Sequence, residues 1–209
     1  MAAERALAGK RDGRTFRGAL FALFALLGSV AHADPARPPS VREVQIEAAF
    51  LVNFVRYTDW PARELPPPAP YVVTVIGTDD VAATMGAVFA AAGPIDGRRI
   101  EMRHVEWPGN ASSRSWREDL AARLRGSQLV FVQAGAGDAA ADVVDVLRGL
   151  PILTVSDADG FVAAGGMLGI VRNGTHLGFE ANPASIRDAG LQVSAKVLKL
   201  AAIPPQVRR

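Results

Sequence analysis

The side chains that most often perform catalysis or bind metal ions are sparse in this sequence. There is no cysteine among the 209 residues, and of the three histidines only His104 and His176 lie beyond residue 33. Two histidines without cysteine form a common zinc site only if carboxylates complete the ligand set. Ser156 and Ser194 lack the Gly-x-Ser-x-Gly setting of a hydrolase nucleophile. The sequence therefore predicts a protein that is not an enzyme and has no metal site and no cofactor.

Two glycine-containing segments resemble ligand-binding loops without completing either motif. Gly135-Ala136-Gly137 lies between a predicted strand and a predicted helix, where a phosphate-binding loop would lie. Ala140 replaces the third glycine of that motif, and the Asp138 carboxylate would repel a phosphate. Asp157-Ala158-Asp159-Gly160 begins like a calcium loop, but Leu168 occupies the twelfth position, where the motif needs glutamate. Both segments are interpreted as turns.

Two other segments have compositions suited to contact with a protein partner. The first contains Arg56, Tyr57 and Trp60 at the end of a predicted helix, and exposed aromatic residues beside arginine are typical of interface anchors. The second is a loop with little side-chain bulk, which another chain's backbone could approach closely, although a plain turn has the same composition. We expect both segments to bind a partner, with the loop contributing Phe161, Gly165, Gly166 and Met167.

Hydrophobic periodicity predicts the elements that position these residues. Ser40 and Glu43 form a capping-box pattern before a 3.6-residue apolar repeat, which predicts a helix over residues 41–57 that ends before Trp60-Pro61. Strands and helices then alternate, as is typical of a mainly parallel sheet with helices on both faces. The predicted strands are 71–77, 99–105, 128–133 and 151–155, and the predicted helices are 80–92 (capped by Asp79 or Asp80), 115–125 and 138–148.

The C-terminal part departs from this alternation. Strand-like residues 167–172 and 176–181 flank Asn173-Gly174, which is a strong hairpin signal. Asn182 precedes Pro183 as a helix cap, and a last amphipathic helix is predicted over 191–203. We therefore expect a single α/β domain over 41–203, with a mainly parallel sheet flanked by helices and a C-terminal antiparallel hairpin. An extended lead-in over 34–40 precedes this domain, and a tail over 204–209 follows it.

Residues 1–33 have the pattern of a secretory signal peptide. A basic start is followed by a largely apolar run of 12 residues over 19–30 and by Ala31-His32-Ala33, a typical cleavage pattern. Cleavage would remove five of 23 basic and two of 21 acidic residues, leaving 18 and 19 and a net charge of −1. Losing the basic excess argues against a nucleic-acid partner. The apolar run is too short to span a bilayer comfortably, so we expect a periplasmic protein without stable membrane insertion after cleavage.

Several short motifs follow one another along the predicted mature chain. They are Ala48–Phe54 with Tyr57, Trp60 and Pro61; Val73–Gly77; Gly97–Ile100; Pro151–Val155 with Asp157; Gly160-Phe161 with Gly165–Met167; Phe179-Glu180 with Asn182; and Ala189–Leu191 with Ser194–Leu198. Each motif alone is weak, but their order and spacing resemble those of the YfiR-like family of periplasmic proteins. The resemblance covers residues 42–202.

This resemblance implies a function in signalling. Members of the family are understood to bind the periplasmic sensor region of a membrane-bound diguanylate cyclase and to hold it inactive, which lowers cyclic-di-GMP and biofilm formation. The resemblance also implies a homodimer, and it leaves open a receptor other than a cyclase. Some relatives carry cysteines that are thought to make them redox-dependent. This chain has no cysteine, so a thiol–disulfide switch cannot operate in it.

A small periplasmic ligand-binding protein, which presents a metabolite to a sensor or transporter, is the alternative function. Sheets of parallel strands bind ligands beyond the carboxyl ends of their strands. The predicted strand ends here carry Gly77-Thr78-Asp79, Gln133-Ala134-Gly135 and Ser156-Asp157. Stoichiometric binding of a metabolite by the purified protein would favour this alternative over a protein partner.

Overall fold

The computed structural model describes residues 38–107, 114–136, 139–173 and 176–201, with the side chains of residues 114 and 115 excepted. The predicted signal peptide, the tail, and Gly174 of the predicted hairpin turn lie outside the described residues. The helices are α1 (Val41–Arg56), α2 (Asp79–Ala91), α3 (Arg114–Leu124), α4 (Ala139–Leu147), α5 (Pro183–Asp188) and α6 (Ala195–Leu198). The strands are β1 (Thr58–Asp59), β2 (Tyr71–Ile76), β3 (Ile100–Val105), β4 (Leu129–Val132), β5 (Leu153–Ser156), β6 (Leu168–Asn173), β7 (His176–Ala181) and β8 (Gln192–Val193).

Six of the strands form the central sheet in the order β3-β2-β4-β5-β6-β7. Neighbouring strands are parallel except for β7, which pairs antiparallel with β6. The prediction of a mainly parallel sheet that ends in an antiparallel pair is confirmed. The chain adds β3 on one side of β2 and then continues with β4 on the other side, so the strand order reverses between β2 and β4.

Helices cover both faces of this sheet, as the sequence predicts. Alternate β4 side chains point to opposite faces: Leu129 and Phe131 pack in a cluster with α1 and α2, whereas Val130 and Val132 pack in a cluster with α3 and α4. All four are fully buried, which explains why β4 reads as a continuous apolar run rather than an alternating one.

The capping box predicted at the start of α1 is present. The Glu43 backbone N–H donates to Ser40 Oγ at 3.3 Å, and the Ser40 N–H donates to a carboxylate oxygen of Glu43 at 2.7 Å. The helix ends at Arg56, before the predicted stop at Trp60-Pro61. The chain leaves it because Thr58 and Asp59 pair with Val193 and Gln192, and the Thr58 hydroxyl donates to the Phe54 carbonyl at 2.7 Å.

Two other sequence predictions are corrected. The long helix predicted over 191–203 is wrong: within the described residues its place is taken by β8 and by the four-residue α6, which Ser194 caps. Pairing with β1 buries Val193 in an extended conformation, and this tertiary contact overrides the local helical period. The N-cap of α2 is Thr78 rather than Asp79 or Asp80, which lie in the first turn. The cap of α5 by Asn182 is confirmed.

Candidate functional site

The first predicted contact segment lies at the end of α1 and is partly exposed. Arg56 is exposed, and 43% of the Tyr57 surface is accessible. Trp60 is half-buried, its indole N–H donates to the Gln128 carbonyl at 3.1 Å, and its ring centre lies 5.8 Å from that of Tyr71. Arg56 and Tyr57 are therefore exposed on the surface, whereas the Trp60 side chain connects the segment after α1 to the sheet.

The second predicted contact segment is packed mainly against the protein itself. Phe161 and Met167 are buried, and the Gly166 N–H donates to the Phe161 carbonyl at 2.9 Å. A Cβ at Gly166 would lie only 2.2 Å from the Phe161 ring, so that ring explains the need for glycine. Gly165 has φ +107°, a conformation that L side chains rarely adopt. The loop brings Phe161, Gly165, Gly166 and Met167 together, but its two large side chains, Phe161 and Met167, are buried in the protein.

A stripe of exposed residues runs along α1 on the side opposite the core. Its positions are spaced three or four residues apart, which places them on one face of a helix. They form the outer stripe of α1: Arg42, Ile46, Ala49, Asn53 and Arg56. Ile46 is 40% exposed and is the large aliphatic side chain of this stripe. Only the C-terminal end of this stripe, at Arg56, was predicted from the amino-acid sequence.

The inner face of α1 holds a carboxylate that was not among the residues predicted from the sequence. Glu47 is 2% exposed and lies among apolar positions such as Val44, Ala48 and Leu51. No hydrogen bond to its carboxylate is present within the described part of the chain. Burial, followed by the nearby charge of Asp157, raises the pKa of Glu47 to about 8. A polar residue at a position of the apolar repeat was the signal that could have found it.

The charged groups around Glu47 come from α1 and from two strand ends. Arg172, near the end of β6, forms an ion pair with Glu43, one turn before Glu47. Asp157 follows β5, accepts a hydrogen bond from the Ala134 N–H at 2.6 Å, and has a raised pKa because of burial. Asp142 on α4 is also a buried carboxylate, but it has an ion-pair partner that Glu47 lacks among the described residues, because the Arg117 guanidinium lies 2.9 Å from it. Because its pKa is raised to about 8, Glu47 is held mainly in its neutral form at pH 7.

At the carboxyl end of the sheet, where the alternative function places a ligand, side chains of neighbouring strands contact one another. At the reversal between β2 and β4, the Gln133 amide oxygen accepts the Thr78 N–H at 2.9 Å. It also lies 2.6 Å from where a Cβ of Gly77 would be, so that glycine makes room for it. His104 bonds through Nε2 to the Gly77 carbonyl at 2.9 Å, and its Nδ1 lies 3.4 Å from Asp79. These contacts fix strand ends to one another.

The described residues contain no group of three or more histidine, aspartate and glutamate side chains placed to hold a metal ion. Among these same residues, each helix is too short or too polar to cross a bilayer.

Comparison with known proteins places the fold among solved structures. A conserved domain protein from Vibrio cholerae O1 biovar El Tor aligns with a TM-score of 0.51 and 10% identity over 77% of this chain and 59% of that one. The ABC domain of a Streptococcus pneumoniae protein, solved in complex with L-Trp, aligns with a TM-score of 0.47 and 16% identity over 68% of this chain and 57% of that one. The chain thus spans less than two thirds of each. No curated protein matches.

A family model gives the assignment. The model described as YfiR/HmsC-like matches residues 44–202, which extend from the second turn of α1 to just past the last described residue. The match includes the sheet, the helices on both of its faces and the paired strands β1 and β8. The chain therefore belongs to the YfiR/HmsC-like family.

Proposed function

We propose that this chain is a non-enzymatic periplasmic regulator that binds the periplasmic sensor region of a membrane-bound diguanylate cyclase and holds the enzyme inactive. The result is less cyclic-di-GMP and less biofilm. The observation that carries the proposal is the family match over residues 44–202, which covers nearly the whole folded unit. The pattern of a signal peptide in residues 1–33 supports export to the compartment where such a sensor region lies.

Repression of this kind requires no catalytic group in the regulator. A ligand shifts a two-state equilibrium by the difference between its affinities for the two states, and a preference of a few kcal/mol for the inactive cyclase is sufficient. A rigid surface that contacts one cyclase conformation better than the other can supply this difference. The exposed part of α1, which is anchored through its buried face, is such a surface.

The predicted contact residues take different parts in this proposal. Arg56 and Tyr57 contact the partner directly, because both are exposed. Trp60 supports them by fixing the connector that follows α1. Phe161, Gly165, Gly166 and Met167 contribute through the shape of their loop, since the two large side chains are buried. A homodimer also remains a prediction, which light scattering of the purified protein would test.

The Gln133 contacts at the carboxyl end of the sheet support a protein partner over the alternative, a metabolite. The Gln133 side chain occupies the reversal between β2 and β4, where an open sheet of this kind would bind a ligand. Calorimetric titration with metabolites would check this preference, and stoichiometric binding would move the proposal to the alternative.

The experiment is a chromosomal deletion of this chain, with cyclic-di-GMP measured in cell extracts. We expect cyclic-di-GMP to rise on deletion and to return to its original level with the exported protein, but not with a version that lacks residues 1–33 apart from a start methionine. Membrane-bound cyclases are then deleted one at a time in the same background. The cyclase whose loss abolishes the rise is the partner. An unchanged cyclic-di-GMP level in the first deletion would contradict the proposal.

A further inference from the structure

The outer stripe of α1 is basic at both ends and uncharged between them. Arg42 and Arg56 are exposed, and neither guanidinium forms a hydrogen bond or an ion pair with another described residue. Ile46, Ala49 and Asn53 separate them, so the centre of the stripe is apolar or small. A small residue at the centre allows another helix to approach closely, since interaxial distance depends on the side chains at the contact.

The acidic groups near the stripe are directed elsewhere or lie beyond it. The Glu43 carboxylate accepts from the Ser40 N–H and pairs with Arg172. Glu47 lies on the buried face of the helix. Asp59 is exposed but belongs to β1, after the helix has ended. The field along the outer stripe is therefore positive at both ends and is not cancelled from within α1.

This charge pattern is unfavourable for pairing of the stripe with a second copy of itself. An antiparallel pair of α1 helices would place Arg42 of each copy beside Arg56 of the other. A parallel pair would place each arginine beside its own counterpart. Like charges placed together across an interface cost several kcal/mol. The occupant that complements the stripe is a different chain with negative charge at both ends of an apolar surface.

On the basis of the proposed function, we infer that the outer stripe of α1 binds a helix of the cyclase's periplasmic region that carries carboxylates at both ends of an apolar stripe. Arg42 and Arg56 are 14 residues apart, which is about 21 Å along a helix axis at 1.5 Å per residue. The complementary carboxylates have the same separation. Arginine suits this contact, since its planar guanidinium binds a carboxylate in bidentate geometry.

The test measures binding of the full exported protein to the isolated periplasmic region of the cyclase that the deletion series identifies, by surface plasmon resonance. We expect the double variant Arg42→Glu/Arg56→Glu to bind at least about tenfold more weakly than the original at low salt, because two attractions become repulsions. Salt should weaken binding of the original protein and, by screening the new repulsions, strengthen binding of the double variant. Arg125→Glu, an exposed arginine beyond α3 on the opposite face of the sheet, is the matched control and should bind within about twofold of the original.

Compensating changes distinguish a lost contact from a damaged fold. Replacing the two complementary carboxylates of the cyclase helix by lysine should restore binding of the double variant, and thermal unfolding should show that the variant remains folded. Binding of the double variant within twofold of the original would overturn the inference while the rise of cyclic-di-GMP on deletion still supports the proposed function. A changed oligomeric state with unchanged cyclase binding would assign the stripe to a second copy and also overturn it. An unchanged cyclic-di-GMP level on deletion would instead remove the proposed function, and the inference with it.

Discussion

The two faces of α1 carry charge in opposite ways. On the inner face a single carboxylate, Glu47, is buried among apolar residues without an ion pair of its own. On the outer face two arginines are exposed and unpaired within the described structure. Charge on the inner face costs folding free energy, whereas charge on the outer face costs little and is available to a partner. The helix therefore separates residues that determine stability from residues to which the proposal assigns recognition.

A second contrast lies between two glutamates one turn apart. Hydrogen bonding to the Ser40 backbone, with help from Arg172, lowers the pKa of Glu43 to about 2. Burial raises the pKa of Glu47 to about 8. The same residue type in the same helix is thus held charged at one position and neutral at the next. Position relative to the core, rather than residue type, decides which form is stable.

The largest effect is expected from Phe54→Ala on the inner face. Phe54 is 1% exposed, and its ring centre lies 5.1 Å from that of Phe179. Removing it leaves a cavity between α1 and β7, and we expect a loss of about 4 kcal/mol in the free energy of unfolding. Urea denaturation measures this loss. A loss below about 1 kcal/mol would show that the inner face does not carry the packing of α1.

Glu47→Gln should change stability in the opposite direction. The unfolded chain ionises Glu47 above pH 4.5 and the folded chain only near pH 8, so folding stability contributed by this residue falls as pH rises through that interval. Glutamine cannot ionise, and we expect the variant to be more stable by about 3 kcal/mol at pH 7, with the gain shrinking toward pH 4.5. Denaturation curves across this pH range measure the difference.

Glu118→Gln, an exposed glutamate on α3, is the control for this pH series and should show no such trend. A gain for Glu47→Gln that does not vary with pH would contradict the buried, neutral carboxyl.

Glu43→Gln should have a smaller effect with the reverse pH dependence. Because the folded-state pKa of Glu43 is depressed, its stabilising contribution is present above pH 4.5 and is lost as pH falls toward 2. We expect the variant to be less stable than the original at pH 7 and equal to it near pH 2. Thermal melts at pH 7 and at low pH compare the two proteins. A difference in stability that does not change with pH would show that the ionised Glu43 carboxylate does not stabilise the fold.

The smallest effect on stability is expected on the outer stripe. Ile46→Gln removes exposed aliphatic surface, and surface substitutions of this kind change the free energy of unfolding by less than about 0.5 kcal/mol. Binding to the cyclase region should nevertheless weaken several-fold, since Ile46 supplies the apolar centre of the stripe. Melting and plasmon resonance on the same samples give both quantities. A large loss of stability would assign Ile46 to the core.

Much of the fold could be predicted from local sequence because its signals are local. The capping box at Ser40, the apolar runs of β2 and β4 and the Asn182 cap each depend on neighbouring residues, and each was found. The pairing of β1 with β8 was not, because two-residue strands leave no periodic signal and their partners are 135 residues apart in the pair Thr58–Val193. A nonlocal contact of that kind also replaced the predicted C-terminal helix.

The candidate site was only partly predictable, for a related physical reason. Composition identified Arg56 and Tyr57 as exposed, but it could not show that the Phe161 ring lies against Gly166, because that contact depends on how the loop folds back. Counting apolar positions identified the inner face of α1 and passed over Glu47 within it. The outer stripe became visible only when the buried positions of α1 were known.

The most direct test of the regulatory function uses spheroplasts of the deletion strain, whose periplasmic face is accessible from outside. Protein purified from the periplasm is added to the medium, and cyclic-di-GMP inside the cells is measured over a range of added concentrations. We predict a saturable decrease that depends on the presence of the identified cyclase. An unchanged level at saturating protein, in cells whose cyclase is present and active, would contradict repression from the periplasmic side.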